Sequence, residues 1–201
     1  MRAAAIAERS IALIAGNATI LSAVRDDDIA LAIWQREPPG GIARIPLINL
    51  RSLRFTAPVP TLNDALSDAM DAAGYDMGKA CRDTLLADII VLATCFAHVM
   101  RTDIVEIRLE VVTTNACKKF HADYVTARLI TTYVGQGTQW LDHEAAADCD
   151  CGEPHNIQQL GAGDVALFKG RHWSADAPAI HRSPPIEGTG ETRLMLVINP
   201  G

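Results

Sequence analysis

Two hydrophobic periods divide the chain. From Thr61 onward, Leu62, Ala65, Leu66, Ala69, Met70 and Ala73 recur at steps of three and four, the spacing of one helical face. Thr61 or Asn63 is placed to cap the start of this helix, and Gly74 its end. Arg82 to Met100 is apolar on most helical faces, which predicts a buried helix covered on both sides. After Asp103 the period shortens to that of strands. Ile104 to Thr114, His121 to Val134, Val165 to Lys169 and Thr192 to Ile198 read as strands, the third entered through the turn Gly161-Ala-Gly-Asp164. No helical pattern of useful length separates them, which points to antiparallel pairing rather than βαβ units. Upstream, the first 16 residues suit a short helix, Ile29 to Trp34 a strand, and Ile42 to Leu53 a partly helical stretch that Pro46 interrupts. The fold class is therefore α+β, with a helix-rich region 1–101 packed on a β-rich core 102–201 as one compact unit.

Composition narrows the function. The 201 residues carry a net charge of −6 with 21% charged and 49% hydrophobic positions. No Lys or Arg run reverses the acidic balance locally, which argues against a nucleic-acid or anionic-membrane partner and for a small-molecule substrate or a protein partner. Five cysteines are odd in number and too sparse for a disulfide framework, in keeping with a reducing cytoplasm. Leu85 to Met100, broken by Asp88 and His98, falls short of a membrane span.

Candidate chemistry begins at His121-Ala-Asp123. On a continuous strand these two side chains share a face, so an imidazole nitrogen and a carboxylate oxygen can reach one metal ion. His181 is the candidate third ligand. Two His and one carboxylate with open positions opposite form the ligand set of non-haem Fe(II) oxygenases. Arg193, at the start of the last strand, shares a face with Met195 and Val197, where a guanidinium calls for a buried anion such as a carboxylate, or for a salt bridge. Arg128 is the rival anchor, although an odd step from Asp123 turns it to the opposite face of a regular strand unless a bulge intervenes. Tyr133, an even step away, lines the same cavity or else packs across strands. A second constellation, Cys149-Asp-Cys151-Gly-Glu-Pro-His155, offers three soft ligands to Zn(II) or is a surface loop. Cys117 is near enough in sequence to approach the metal, or is a buried structural thiol.

The order His-x-Asp, Gly-Asp turn, lone His and Arg on a final strand resembles the Fe(II) and 2-oxoglutarate dependent oxygenases, whose fold is an antiparallel double-stranded β-helix of the jelly-roll or cupin class. The resemblance implies that His121, Asp123 and His181 bind Fe(II), that Arg193 grips 2-oxoglutarate, and that the co-substrate is decarboxylated while dioxygen is activated. More closely, the runs Cys117 to Asp123, Arg128 to Trp140, Gly163 to Gly170 and His181 to Pro185 look like domain-of-unknown-function family 1826, an uncharacterised bacterial family. Its members are often encoded beside metal-handling GTPases. That association keeps open a zinc-binding or metal-homeostasis protein using the same site, with or without Cys149, Cys151 and His155.

Overall fold

The computed structural model describes residues 12–115, 117–142 and 154–201. Among the described residues, ten strands and two α-helices follow one another as β1 (Ala12–Ala15), β2 (Leu31–Trp34), β3 (Leu53–Pro58), α1 (Leu62–Ala72), α2 (Lys79–Met100), β4 (Ile104–Val112), β5 (Ala127–Val134), β6 (Gln139–Trp140), β7 (Gln158–Gln159), β8 (Val165–Lys169), β9 (His181–Arg182) and β10 (Arg193–Pro200). A seven-stranded sheet has the order β1-β2-β8-β5-β10-β4-β3, and a three-stranded sheet the order β7-β6-β9. Every pairing is antiparallel except that of β1 with β2. The architecture is α+β with an antiparallel-rich sheet.

Alternation assigns the two faces of the large sheet. Leu194, Leu196 and Ile198 of β10, Ala127, Leu129 and Tyr133 of β5, and Val165 and Leu167 of β8 pack with Leu66, Met70, Leu85, Leu92 and Phe96 of the helices. The intervening residues, Met195, Val197, Ile130, Ala166 and Phe168, join Trp140, Leu160 and Ala179 on the other face, beside the small sheet. Side chains of period two therefore fill a core on each side of the sheet, one beneath helices and one beneath strands. A register shift opposite Leu194 and Met195 pairs them with Val134 and Thr132, leaving Tyr133 as the extra residue of a β-bulge.

Several elements differ from those that the pattern predicts. Ala12 to Ala15 is a strand, not part of a helix. The region 1–101 is less helical than expected, because β1, β2 and β3 all enter the large sheet; Leu53–Pro58 pairs along β4 at the edge, where the ring of Pro58 costs no ladder bond. α2 is long and apolar enough to cross a membrane by length and composition alone. In the fold it buries Leu85, Ile89, Leu92 and Phe96 on the sheet and exposes Val91 and His98, so it is covered on one side rather than two. The stretch His121 to Val134 is not one strand. His121 makes an isolated antiparallel bridge with His181, and β5 begins only at Ala127.

Candidate metal centre

Backbone pairing brings His121 and His181 together. Each main-chain N–H donates to the other residue's carbonyl at 3.0 Å, and the two rings lie with centroids 4.9 Å apart. His181 opens β9 in the small sheet, with its ring 4.6 Å from that of Phe168 on the large one. His121 Nδ1 donates to the Lys119 carbonyl at 2.9 Å, which fixes the tautomer and leaves Nε2 with its lone pair available.

Asp123 is held by the break in the strand. Arg171 N donates to the Asp123 carbonyl at 2.8 Å, His172 N to that of Val125 at 3.2 Å, and Gly170 N to that of Thr126 at 2.9 Å. The loop after β8 thus takes up the hydrogen bonds that a continuous strand would have made with a neighbour. Its carboxylate then stands 3.7 Å from His121 Nε2 through Oδ1 and 3.3 Å from His181 Nε2 through Oδ2. One donor atom from each residue lies within 4.8 Å of the others, so a single ion can be shared among them. Asp123 Oδ2 is buried and has no well-formed hydrogen bond. A buried, ionised oxygen with a free lone pair is costly unless a cation meets it, and that oxygen with two imidazoles fits a divalent transition metal.

Electrostatics keep the carboxylate ionised. Burial pushes the Asp123 carboxyl up, but the imidazoles of His121 and His181 and the charge of Arg128 outweigh it and hold it well below the usual range. The neighbouring carboxylate in turn raises His121, against its burial. The triad lies in a pocket of about 130 Å³ whose walls include Arg108, Cys117, Arg128, Thr138, Arg182 and Met195.

The other predicted positions scatter. Arg193 is wholly buried; its Nε donates to the Gln136 carbonyl at 2.6 Å, one Nη donates to Thr132 Oγ1 at 3.3 Å and to Met195 Sδ at 3.6 Å, and Nη1 has no partner. Burial pulls its guanidinium down to about 10, with the charge of Glu110 opposing, so it remains a cation at neutral pH. It is not on the pocket wall, but Met195 touches it and lines the pocket. Arg128 does reach the pocket: Nη1 donates to Asp123 Oδ1 at 2.7 Å, and the odd-step expectation fails because no period of two runs through residues 123–126. Tyr133 is corrected for the same reason. It faces the helices, where its hydroxyl donates to Asp88 Oδ2 at 2.7 Å, and cannot bind a co-substrate in the pocket. Cys117 is an exposed free thiol on the pocket wall, not a buried one. Cys149 and Cys151 fall outside the described residues, and His155 is exposed with no part in the triad. Two participants escaped the sequence reading, Asn199 and Gly170. Only their contacts across the sheet give them a role.

Fold and site together define a two-sheet α+β protein with a His/Asp/His cluster between the sheets. The chain belongs to the family DUF1826, described as a protein of unknown function, whose model matches residues 15–199. No curated protein sequence matches it. Among solved structures, it is similar to the dioxygenase for auxin oxidation 1 of Arabidopsis thaliana, in binary complex with 2-oxoglutarate, at 9% identity and a TM-score of 0.50 over 94% of this chain and 91% of that one. It also matches a prolyl-4-hydroxylase of Pseudomonas putida at 12% identity and a TM-score of 0.43, over 90% and 96% of the two chains. At such identities the plant dioxygenase shows a shared fold and no more.

Proposed function

We propose that this protein is a non-haem Fe(II) oxygenase that uses 2-oxoglutarate to oxidise a small molecule, and that its two sheets form the double-stranded β-helix of that class. The observation that carries the reading is the convergence of His121, Asp123 and His181 on one point, with the buried Asp123 Oδ2 lacking a hydrogen bond. The plant dioxygenase of similar fold was solved with 2-oxoglutarate, which favours the same co-substrate here.

The residues divide the work. His121 Nε2, His181 Nε2 and Asp123 Oδ2 would hold the metal. Dioxygen activation, coupled to decarboxylation of the oxo acid, is the chemistry that Fe(II) supplies when bound. Arg193, with its unpartnered Nη1, would hold the distal carboxylate of 2-oxoglutarate, and Met195, which touches Arg193 and lines the pocket, separates the two. Ile130, Met195 and Val197 keep the pocket floor apolar and limit water beside the metal. A cytoplasmic setting belongs to the same reading, supported by the free thiols of Cys81, Cys95 and Cys117.

Anaerobic titration tests this. Fe(II) followed by 2-oxoglutarate is expected to give a visible charge-transfer band that His121→Ala abolishes and that Arg193→Met shifts to far higher 2-oxoglutarate concentration. Tight Zn(II) binding with no optical response of the Fe(II) form to 2-oxoglutarate overturns it in favour of a zinc-binding protein on the same triad.

A further inference from the structure

We propose that Arg128 is a positioning residue that engages one oxygen of the Asp123 carboxylate, leaving the other for the metal, and that its own pose is set by Asn199 and Glu106 on the neighbouring strands. This rests on the reading of His121, Asp123 and His181 as metal ligands. Arg128 Nη1 donates to Asp123 Oδ1 at 2.7 Å, while Nε donates to Asn199 Oδ1 at 2.9 Å. Asn199 Nδ2 donates to Glu106 Oε2 at 2.7 Å, and Glu106 Oε1 accepts from Arg54 Nε at 2.6 Å. The row crosses β5, β10, β4 and β3 from the pocket to the sheet edge.

Each link constrains the next. An amide has one accepting and one donating end, so Asn199 must present oxygen to the guanidinium and nitrogen to the carboxylate; reversed, it would oppose like to like at both ends. That orientation fixes Arg128 Nε. Because the guanidinium is planar and its donors keep fixed angles, fixing Nε also fixes Nη1, which the flexible ammonium of a lysine would not do. Nη1 then defines where Asp123 Oδ1 rests. The loop after β8 holds the Asp123 backbone, but between the bridge at His121 and the start of β5 no neighbouring strand packs its side chain, so the direction of the carboxylate is left to partners such as Arg128. With Oδ1 engaged, Oδ2 is the oxygen left without a hydrogen bond.

Co(II), whose visible absorption reports its ligand shell, is the probe. Arg128→Met is expected to bind Co(II) about 10- to 100-fold more weakly, the usual effect of removing an outer partner of a ligand. The spectrum at saturation should change as Oδ1 becomes available to the ion. Arg128→Lys should recover part of the affinity, and Asn199→Ala should fall between wild type and Arg128→Met. An ordinary stabilising ion pair would lower the melting temperature without touching either the Co(II) affinity or the spectrum, and that outcome overturns the proposal. If wild type itself binds no Co(II), the metal-site reading fails instead. Should Arg128→Met prove unfolded by circular dichroism, Asn199→Ala decides, with unchanged affinity counting against the relay.

Discussion

Gly170 contributes no side chain, yet the segment that carries the Asp123 carboxylate of the candidate metal centre packs directly against it. A Cβ at this position would lie 2.1 Å from the Val125 carbonyl oxygen and 3.0 Å from that of Asp123. Both contacts are with backbone, so nothing flexible can give way, and the 123–126 segment would be pushed off the loop that holds it. Gly170→Ala is expected to cost about 1 to 3 kcal/mol in urea unfolding, the range for forced overpacking, and to weaken Co(II) binding as well. Unaltered metal affinity in a destabilised variant would show that the segment's position does not govern the site. The sequence shows Gly170 as one glycine among 14, and nothing local marks it, because the atoms it must clear belong to Val125 and Asp123, 45 and 47 positions earlier in the chain. His121, Asp123 and His181 were singled out by the order of motifs along the chain rather than by the His-x-Asp pair alone, and the fold brings their donor atoms together. The roles of Arg128 and Tyr133 were not legible, since both were counted along a strand that does not exist between Asp123 and Ala127.

At the scale of elements, α2 is fastened to the sheet by charge as well as by hydrocarbon. Asp88, on the helix, accepts from Arg36 Nη1 at 2.6 Å and Nη2 at 2.8 Å, and from the Tyr133 hydroxyl at 2.7 Å. Arg36 also donates through Nε to the Gly163 carbonyl at 3.0 Å and lies over the Trp34 ring at 4.7 Å. One carboxylate therefore joins the helix, the residues after β2 and the bulge of β5. Asp88→Ala leaves a half-buried guanidinium and a buried phenol without their acceptor, and is expected to destabilise by about 3 kcal/mol in chemical denaturation. Asp88→Asn, which still accepts one hydrogen bond, should cost less. Equal costs would mean that packing, not the charged acceptor, holds the helix. This clamp explains a misreading of α2. The helix is apolar around most of its circumference, which suggested cover on both sides, but Asp88 marks the rim of its buried face and Val91 and His98 lie in solvent. The long strands were legible because β8 and β10 are unbroken apolar runs, Val165 to Phe168 and Leu194 to Ile198, buried on both faces of the sheet. Strands of two residues, such as β6, β7 and β9, are too short to show a period, and so the small sheet could not be foreseen.

Over the whole molecule, alkaline pH is the condition that sets burial against ionisation. Burial, with Asp88 next to it, pushes the Tyr133 hydroxyl well above its usual value of 10.0, and burial alone raises Tyr75, whose hydroxyl has no partner. Both phenols sit in the core between sheet and helices, at 0% and 2% exposure, so neither can become a phenolate while that core is intact. The sign follows from linkage. The folded state keeps protons that the unfolded chain releases above pH 10.0, so the contribution of these groups is fully present below that value and is lost as pH climbs from it toward the folded-state values. The expected result is an alkaline transition in which phenolate absorbance from these two tyrosines rises together with the loss of far-ultraviolet circular dichroism. Because Tyr133 is one partner of the Asp88 clamp, Tyr133→Phe removes one titrating group and one hydrogen bond at once. Its stability at neutral pH should fall by about 1 kcal/mol, the net value of one such bond, while its stability declines less steeply above pH 10.0 than that of wild type. Phenolate signal from all three tyrosines, complete before any loss of helical dichroism, would mean that solvent reaches this core without unfolding it.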